Sequence, residues 1–186
     1  QTLFSIFYYK FFIRIFILYY NMKKYKNSKI FIAGHNGLVG SAIYNKLKLD
    51  GYKKIIVKNR KELDLKNSKK VFNFLKKKKP EYIIIAAAKE GGIKANNDLS
   101  GQFIYENLAI QNNLIDGAYR IGVKKLIFLG SSCIYPKSWK RPFTENDLNL
   151  SNLEKTNEPY AIAKISGLKL CETFNRQFNN NYPKFI

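Results

Sequence analysis

Several residue types are scarce in this chain. Its 186 residues include two cysteines, one histidine, one methionine and one tryptophan. Cys133 and Cys171 are too few for a disulfide scaffold and suit a reducing compartment, so a cytoplasmic location is expected. No metal site is read from the sequence. Acidic residues are also short, with 13 Asp and Glu against 33 Lys and Arg, which gives a net charge of +20. Such a surplus would ordinarily raise nucleic acid or an anionic membrane as a partner. Here Lys, Asn, Ile, Phe and Tyr are inflated together, as AT-rich codons would produce, and the lysines are spread along the chain. The longest lysine run, Lys76 to Lys79, follows Val71, Phe72, Phe74 and Leu75 at the end of a helical stretch, where cations complement the helix dipole. Neither nucleic acid nor a membrane is therefore expected as a partner.

A clean membrane span is missing too. Residues 1–20 hold eleven Leu, Ile and Phe residues, but Lys10 and Arg14 interrupt them. The apolar residues contribute about −5 kcal/mol to insertion and each central cation costs about 2.5 to 3.5 kcal/mol, so insertion is near break-even. No small-residue cleavage site follows, which argues against a signal peptide. Met22 stands shortly before the first strand, and residues 1–21 are expected to be an upstream extension.

What remains reads as alternating strands and helices. Strand-like runs fall at Lys29 to Ala33, Lys54 to Lys58, Tyr82 to Ala86 and Lys125 to Gly130. Helical stretches lie near 38–50, 68–78 and 102–121. The alternation predicts an α/β fold of Rossmann type, a doubly wound parallel sheet covered on both faces. The segment from Lys137 to Thr156 has Trp139, Pro142 and many polar residues and should be irregular.

The first strand runs into Gly34-His35-Asn36-Gly37-Leu38-Val39-Gly40 and then a helical period. Strand, glycine turn and helix are what a pyrophosphate site requires. The glycines allow close backbone approach, and the helix start presents free N–H groups and a positive dipole end. Where an acidic residue would receive an NAD ribose, the second strand ends in Lys58-Asn59-Arg60-Lys61. Basic residues there suit a 2′-phosphate, so NADP(H) is the expected cofactor, with Arg60 the best candidate because its guanidinium can grip phosphate in two places.

Tyr160 and Lys164 form a Tyr-x-x-x-Lys pattern. The spacing alone means little, because Tyr19/Lys23, Tyr20/Lys24, Tyr25/Lys29 and Tyr44/Lys48 match it as well. Context separates the pair. Pro159 can open a helix, Ala161, Ile162 and Ala163 continue it, and residues four apart share one helix face. A lysine one turn from a tyrosine favours the phenolate by Coulomb attraction and can also hold a ribose. Upstream, Gly130-Ser131-Ser132-Cys133 closes a strand at a distance that lets Ser131, Tyr160 and Lys164 converge on one substrate. Cys133 reads either as a reactive thiol or as a small buried apolar residue at a strand end.

From about Lys29 onward the chain closely resembles the GDP-L-fucose synthases, a family of extended short-chain dehydrogenases. The matching segments are Gly34 to Gly40, Ala86-Ala87-Ala88-Lys89 with Gly91-Gly92-Ile93, Phe103-Ile104-Tyr105-Glu106-Asn107, Gly130 to Lys137 and Thr156 to Gly167. The resemblance implies NADPH-dependent 3,5-epimerisation and 4-reduction of GDP-4-keto-6-deoxy-D-mannose. It implies that Tyr160 protonates the 4-oxygen, Ser131 hydrogen-bonds it, Lys164 lowers the tyrosine pKa and Cys133 serves in epimerisation with a histidine further along. It also implies a cofactor surface of Gly34, His35, Asn36, Gly37, Leu38, Val39, Gly40, Arg60, Asp64, Leu65, Ala86, Ala87, Ala88, Leu129, Gly130, Ser131, Ser132 and Lys164, and a homodimer through the helices at 102–121 and after Tyr160.

Two departures stand out. Asn36 replaces an arginine usual in the family, and no histidine follows His35, which sits inside the phosphate turn. The expectation is an NADP-binding Rossmann domain over 22–186, cut before a C-terminal GDP-sugar domain. Its open sheet edge would make the isolated piece prone to aggregate. Another nucleotide-sugar epimerase or dehydratase, or an inactive truncated module, are the alternatives.

Overall fold

The computed structural model describes residues 26–137, 141–148 and 153–178. The extension at 1–21, Met22, Trp139 and the segment from Tyr182 onward lie outside them, as do three of the four competing Tyr-x-x-x-Lys tyrosines.

Four short apolar runs form one parallel sheet. They are β1 (Ile30–Ala33), β2 (Ile55–Val57), β3 (Tyr82–Ile85) and β4 (Lys125–Phe128), in the spatial order β2-β1-β3-β4. The register sets Phe31 beside Ile56 and Ile83, and Ile83 beside Leu126. These strands read as nearly continuous apolar runs because both faces of the sheet are buried. Phe31, Ala33, Ile83, Ile85, Leu126 and Phe128 point to one face. There they meet Val71 and Leu75 of α2 (Ser68–Lys78), Leu114, Ile115 and Ala118 of α4 (Ser100–Ile121), and Leu168 and Cys171 of α5 (Glu158–Phe178). Ile30, Ile32, Tyr82, Ile84 and Ile127 point the other way, with Leu47 of α1 (Leu38–Leu49) and Tyr52. This is the doubly wound arrangement that the alternation predicts. Among the described residues β4 pairs on one side only.

Helix ends follow their sequence. Asn67 caps α2 by accepting the Lys70 N–H at 2.9 Å. The same helix closes on Lys76, Lys77 and Lys78, with Lys79 in the left-handed region at φ 47°, so the lysine run is a helix terminus as expected. A six-residue helix, α3 (Ile93–Asp98), was not expected; its Asn-Asn-Asp half carries no apolar period. The described part of the segment before α5 holds a 3-10 turn at Glu145–Asp147 and is anchored. Asp147, 1% exposed, receives Arg141 at 2.7 and 2.9 Å and the Thr144 N–H at 2.7 Å.

The chain passes from β1 to the neighbouring β3 only after visiting β2 on the far side. Ligand crevices in open α/β sheets lie at such a switch point, beyond the carboxyl ends of the strands. The segments after Ala33, Ile85 and Phe128 all emerge there.

Candidate active site

Geometry explains the glycine turn. Gly34 has φ +89°, and a Cβ there would lie 2.5 Å from the Ala87 nitrogen. A Cβ on Gly40 would lie 2.0 Å from the Gly34 carbonyl oxygen, so the first turn of α1 crosses directly over the end of β1. Gly37 caps α1 without a side-chain bond, and no acidic residue occupies the first turn. Asn36 and Gly37 are exposed, and Leu38 is 85% exposed. The helix start is bare, a fit for a pyrophosphate. His35 is half-buried, 6.2 Å from the Tyr44 ring, and its Nδ1 is buried without a partner. Tyr44 in turn lies under Lys48 at 5.4 Å, so that competing Tyr-x-x-x-Lys match is a cation–π pair on α1.

The second segment expected to meet the cofactor follows β2. Arg60 reaches Glu106 on α4 at 3.5 Å, and Lys66 and Lys89 reach the same carboxylate at 3.4 and 3.8 Å. Lys58, by contrast, pairs with Glu62. Asp64 accepts the Lys66 N–H, and the Leu65 carbonyl accepts Asn113. Ala86, Ala87 and Ala88 continue β3, with the Ala86 N–H bonded to the Ala33 carbonyl at 2.9 Å.

Ser131, Cys133, Tyr160 and Lys164 come together. Phe128 ends β4, and Leu129 to Ser131 lead into a 3-10 turn at Ser132–Ile134. The Cys133 thiol donates to Ser131 Oγ at 3.2 Å. From α5, Lys164 Nζ donates to the Leu129 carbonyl at 2.9 Å and lies 4.8 Å from the Phe128 ring and 5.7 Å from the Tyr160 ring. Gly167 allows this approach, since a Cβ there would meet the Phe128 ring at 2.5 Å.

The electrostatics differ from expectation at Tyr160. Burial, then Glu90, then Cys133 push the phenol well above its ordinary value, while hydrogen bonding with Ser131 pulls it down. Lys164 was expected to draw the phenol down, but its ammonium is spent on the Leu129 carbonyl and is itself lowered to about 8 by burial. The Cys133 thiol is raised, again by burial first, so it rests as a thiol.

Three side chains had no assigned role in the sequence. Glu90 Oε1 accepts the Tyr160 hydroxyl at 3.2 Å. Asn107, 3% exposed, accepts the Lys89 N–H at 2.8 Å and donates to the Lys89 and Phe103 carbonyls at 3.0 and 2.7 Å. Gln111, 2% exposed, donates to the Ala163 carbonyl at 2.7 Å and so ties α4 to the tyrosine helix. The signal for the last two was present: Phe103, Asn107, Gln111 and Ile115 recur every fourth residue on a buried stripe, and amides in such a stripe need partners.

Residues 30–183 match the family described as NAD dependent epimerase/dehydratase. The chain belongs to that family. This epimerase/dehydratase domain is 53% identical to GDP-L-fucose synthase 1 of Arabidopsis thaliana over 152 residues, 82% of this chain and 47% of the relative. It is 49% identical to GDP-L-fucose synthase of Escherichia coli (strain K12) over 154 residues, 83% of this chain and 48% of the relative. A solved GDP-mannoheptose C4 reductase from Campylobacter jejuni with NADP bound superposes with TM-score 0.82 at 42% identity, covering 86% of this chain and 50% of that one. The chain spans about half the length of the curated relatives it matches. Among the described residues of this epimerase/dehydratase domain no helix is long and apolar enough to cross a membrane, and no group of three His, Cys, Asp or Glu could hold a metal ion.

Proposed function

We propose that this chain is the cofactor-binding part of an NADP(H)-dependent enzyme that converts GDP-4-keto-6-deoxy-D-mannose to GDP-L-fucose. The observation that carries the reading is the Cys133 thiol on Ser131, at the strand end faced by Tyr160 and Lys164. The bare start of α1 would hold the pyrophosphate, and Arg60 the 2′-phosphate. Bound NADPH would supply the hydride. The chain's own residues do the proton work. Tyr160, kept protonated by its surroundings, is a proton donor for the 4-oxygen, and Ser131 is placed to orient that oxygen. Lys164 would hold the nicotinamide ribose. Epimerisation removes a proton from carbon on one face and returns one on the other, and the protonated Cys133 suits the returning half. His35 lies in the phosphate turn and does not serve as the partner acid/base.

A second reading is a GDP-4-keto-sugar reductase that does not epimerise. It is favoured by the similarity to the Campylobacter reductase. One experiment separates them: incubation of the full-length protein that carries this chain with NADPH and GDP-4-keto-6-deoxy-D-mannose in D2O. Solvent deuterium at C3 and C5 of a reduced product supports the first reading. Reduction at C4 without carbon-bound solvent deuterium supports the second, and no reduction refutes both.

The reading includes a cytoplasmic homodimer with no nucleic-acid or membrane partner. The dimer would form through the outer faces of α4 and α5, where Tyr105 and Ile162 remain 72% and 39% exposed. A monomer by sedimentation would refute that contact.

A further inference from the structure

Glu90 stands where the carboxyl end of β3 meets the tyrosine helix. Its backbone is fixed from one side, because Asn107 engages both the N–H and the carbonyl of Lys89. On the other side Gly91 and Gly92 bring no side chain into the space. The Glu90 carboxylate is exposed and accepts the Tyr160 hydroxyl at 3.2 Å. The charged and titratable groups around that hydroxyl are Glu90, Cys133 and Lys164, with the Ser131 hydroxyl beside them.

We propose that Glu90 is a positioning residue of this site, which rests on reading Tyr160 as its proton donor. Its carboxylate holds the Tyr160 hydroxyl toward the open cleft and keeps the proton on the phenol until a ligand acceptor takes its place. A carboxylate that accepts a hydrogen bond favours the protonated donor, and its negative charge opposes a phenolate or thiolate nearby. The acceptor best able to displace it is another oxygen of similar reach, such as a ketone on the bound sugar. The Glu90 charge also faces Lys164, whose ammonium it favours, so one carboxylate biases all three titrating groups toward their protonated forms.

The test uses Cys133 as a reporter, with no cofactor or sugar nucleotide present. Wild type, Glu90→Gln and Glu90→Asp are alkylated with iodoacetamide across pH 6 to 10, and the Cys133 and Cys171 peptides are quantified by mass spectrometry. Cys171 is 1% exposed and reports on the fold. The expected result is that Glu90→Gln speeds Cys133 alkylation at pH 8 roughly threefold and moves the profile to lower pH. Glu90→Asp, which keeps the charge, stays within about twofold, and Cys171 remains unreactive throughout. A Glu90→Gln profile that superimposes on wild type overturns the proposal. So does reactive Cys171 in Glu90→Gln with normal Glu90→Asp, which would make Glu90 a residue of the fold. Because no nucleotide is used, a negative result leaves the functional reading standing, whereas failure of the deuterium experiment removes the proton-donor role and leaves only the coupling of Glu90 to Tyr160 and Cys133.

Discussion

Replacing Lys164 by methionine should make the protein more stable at neutral pH. Lys164 is 3% exposed, and burial lowers its pKa from 10.5 to about 8. Below pH 8 the lysine is charged in both the folded and unfolded chains, and the folded state carries the cost of the buried charge. Between about 8 and 10.5 the folded lysine is neutral while the unfolded one keeps its proton, so stability rises with pH through that window. At 1.36 kcal/mol per pKa unit the cost at pH 7 is about 3 kcal/mol. Methionine removes that cost but also removes the bond to the Leu129 carbonyl, worth about 1 kcal/mol. Lys164→Met should therefore be more stable than wild type by about 2 kcal/mol at pH 7 and less stable by about 1 kcal/mol near pH 10.5. Urea denaturation followed by far-UV circular dichroism at low protein concentration measures the difference. A variant already less stable at pH 7, or a difference that does not change with pH, would refute the reasoning.

Asn107→Leu should cost about 2 to 4 kcal/mol in the same assay, because it strands both backbone groups of Lys89 in a half-buried position; a loss below about 1 kcal/mol counts against the clamp. Lys79→Gly relieves a left-handed lysine at the end of α2 and should raise stability by about 0.5 to 1 kcal/mol, which thermal melts can resolve. Arg60→Ala should weaken NADPH binding about tenfold and leave NADH within about twofold, measured by fluorescence titration; equal losses for both would remove Arg60 from the 2′-phosphate. Acidification through the carboxylate range should loosen the segment before α5. Asp147 is held well below its ordinary value by the Thr144 N–H and Arg141, so the stability it lends is present at neutral pH and lost as it protonates. Limited proteolysis at falling pH should cut there first.

Most of the frame was readable from local chemistry. Each strand was visible as an apolar run and each long helix as an apolar period, and the glycine turn was placed by the strand before it and the helix after it. Cys133 could be linked to Ser131 because only Ser132 separates them. Glu90 could not be linked to Tyr160, because 70 residues separate them and only the neighbouring ends of β3 and α5 join them. The direction of the Tyr160 shift was misread for a related reason. A lysine four residues away suggests a lowered phenol, but the balance is decided by burial and by a carboxylate from another element. Glu106 likewise had no assigned partner in the sequence; two separate connections, after β2 and after β3, bring three cations to it.

That meeting at Glu106 affects how a ligand arrives. Arg60, Lys66 and Lys89 share one carboxylate, so within this cluster three positive charges are answered by one negative charge. Over roughly 8 to 10 Å, the screening distance at physiological salt, that surplus draws polyanions inward before any contact is made. Asn36 can therefore lack a charge without leaving the entrance neutral. Capture of a polyanion should slow as salt is added while capture of a neutral ligand does not.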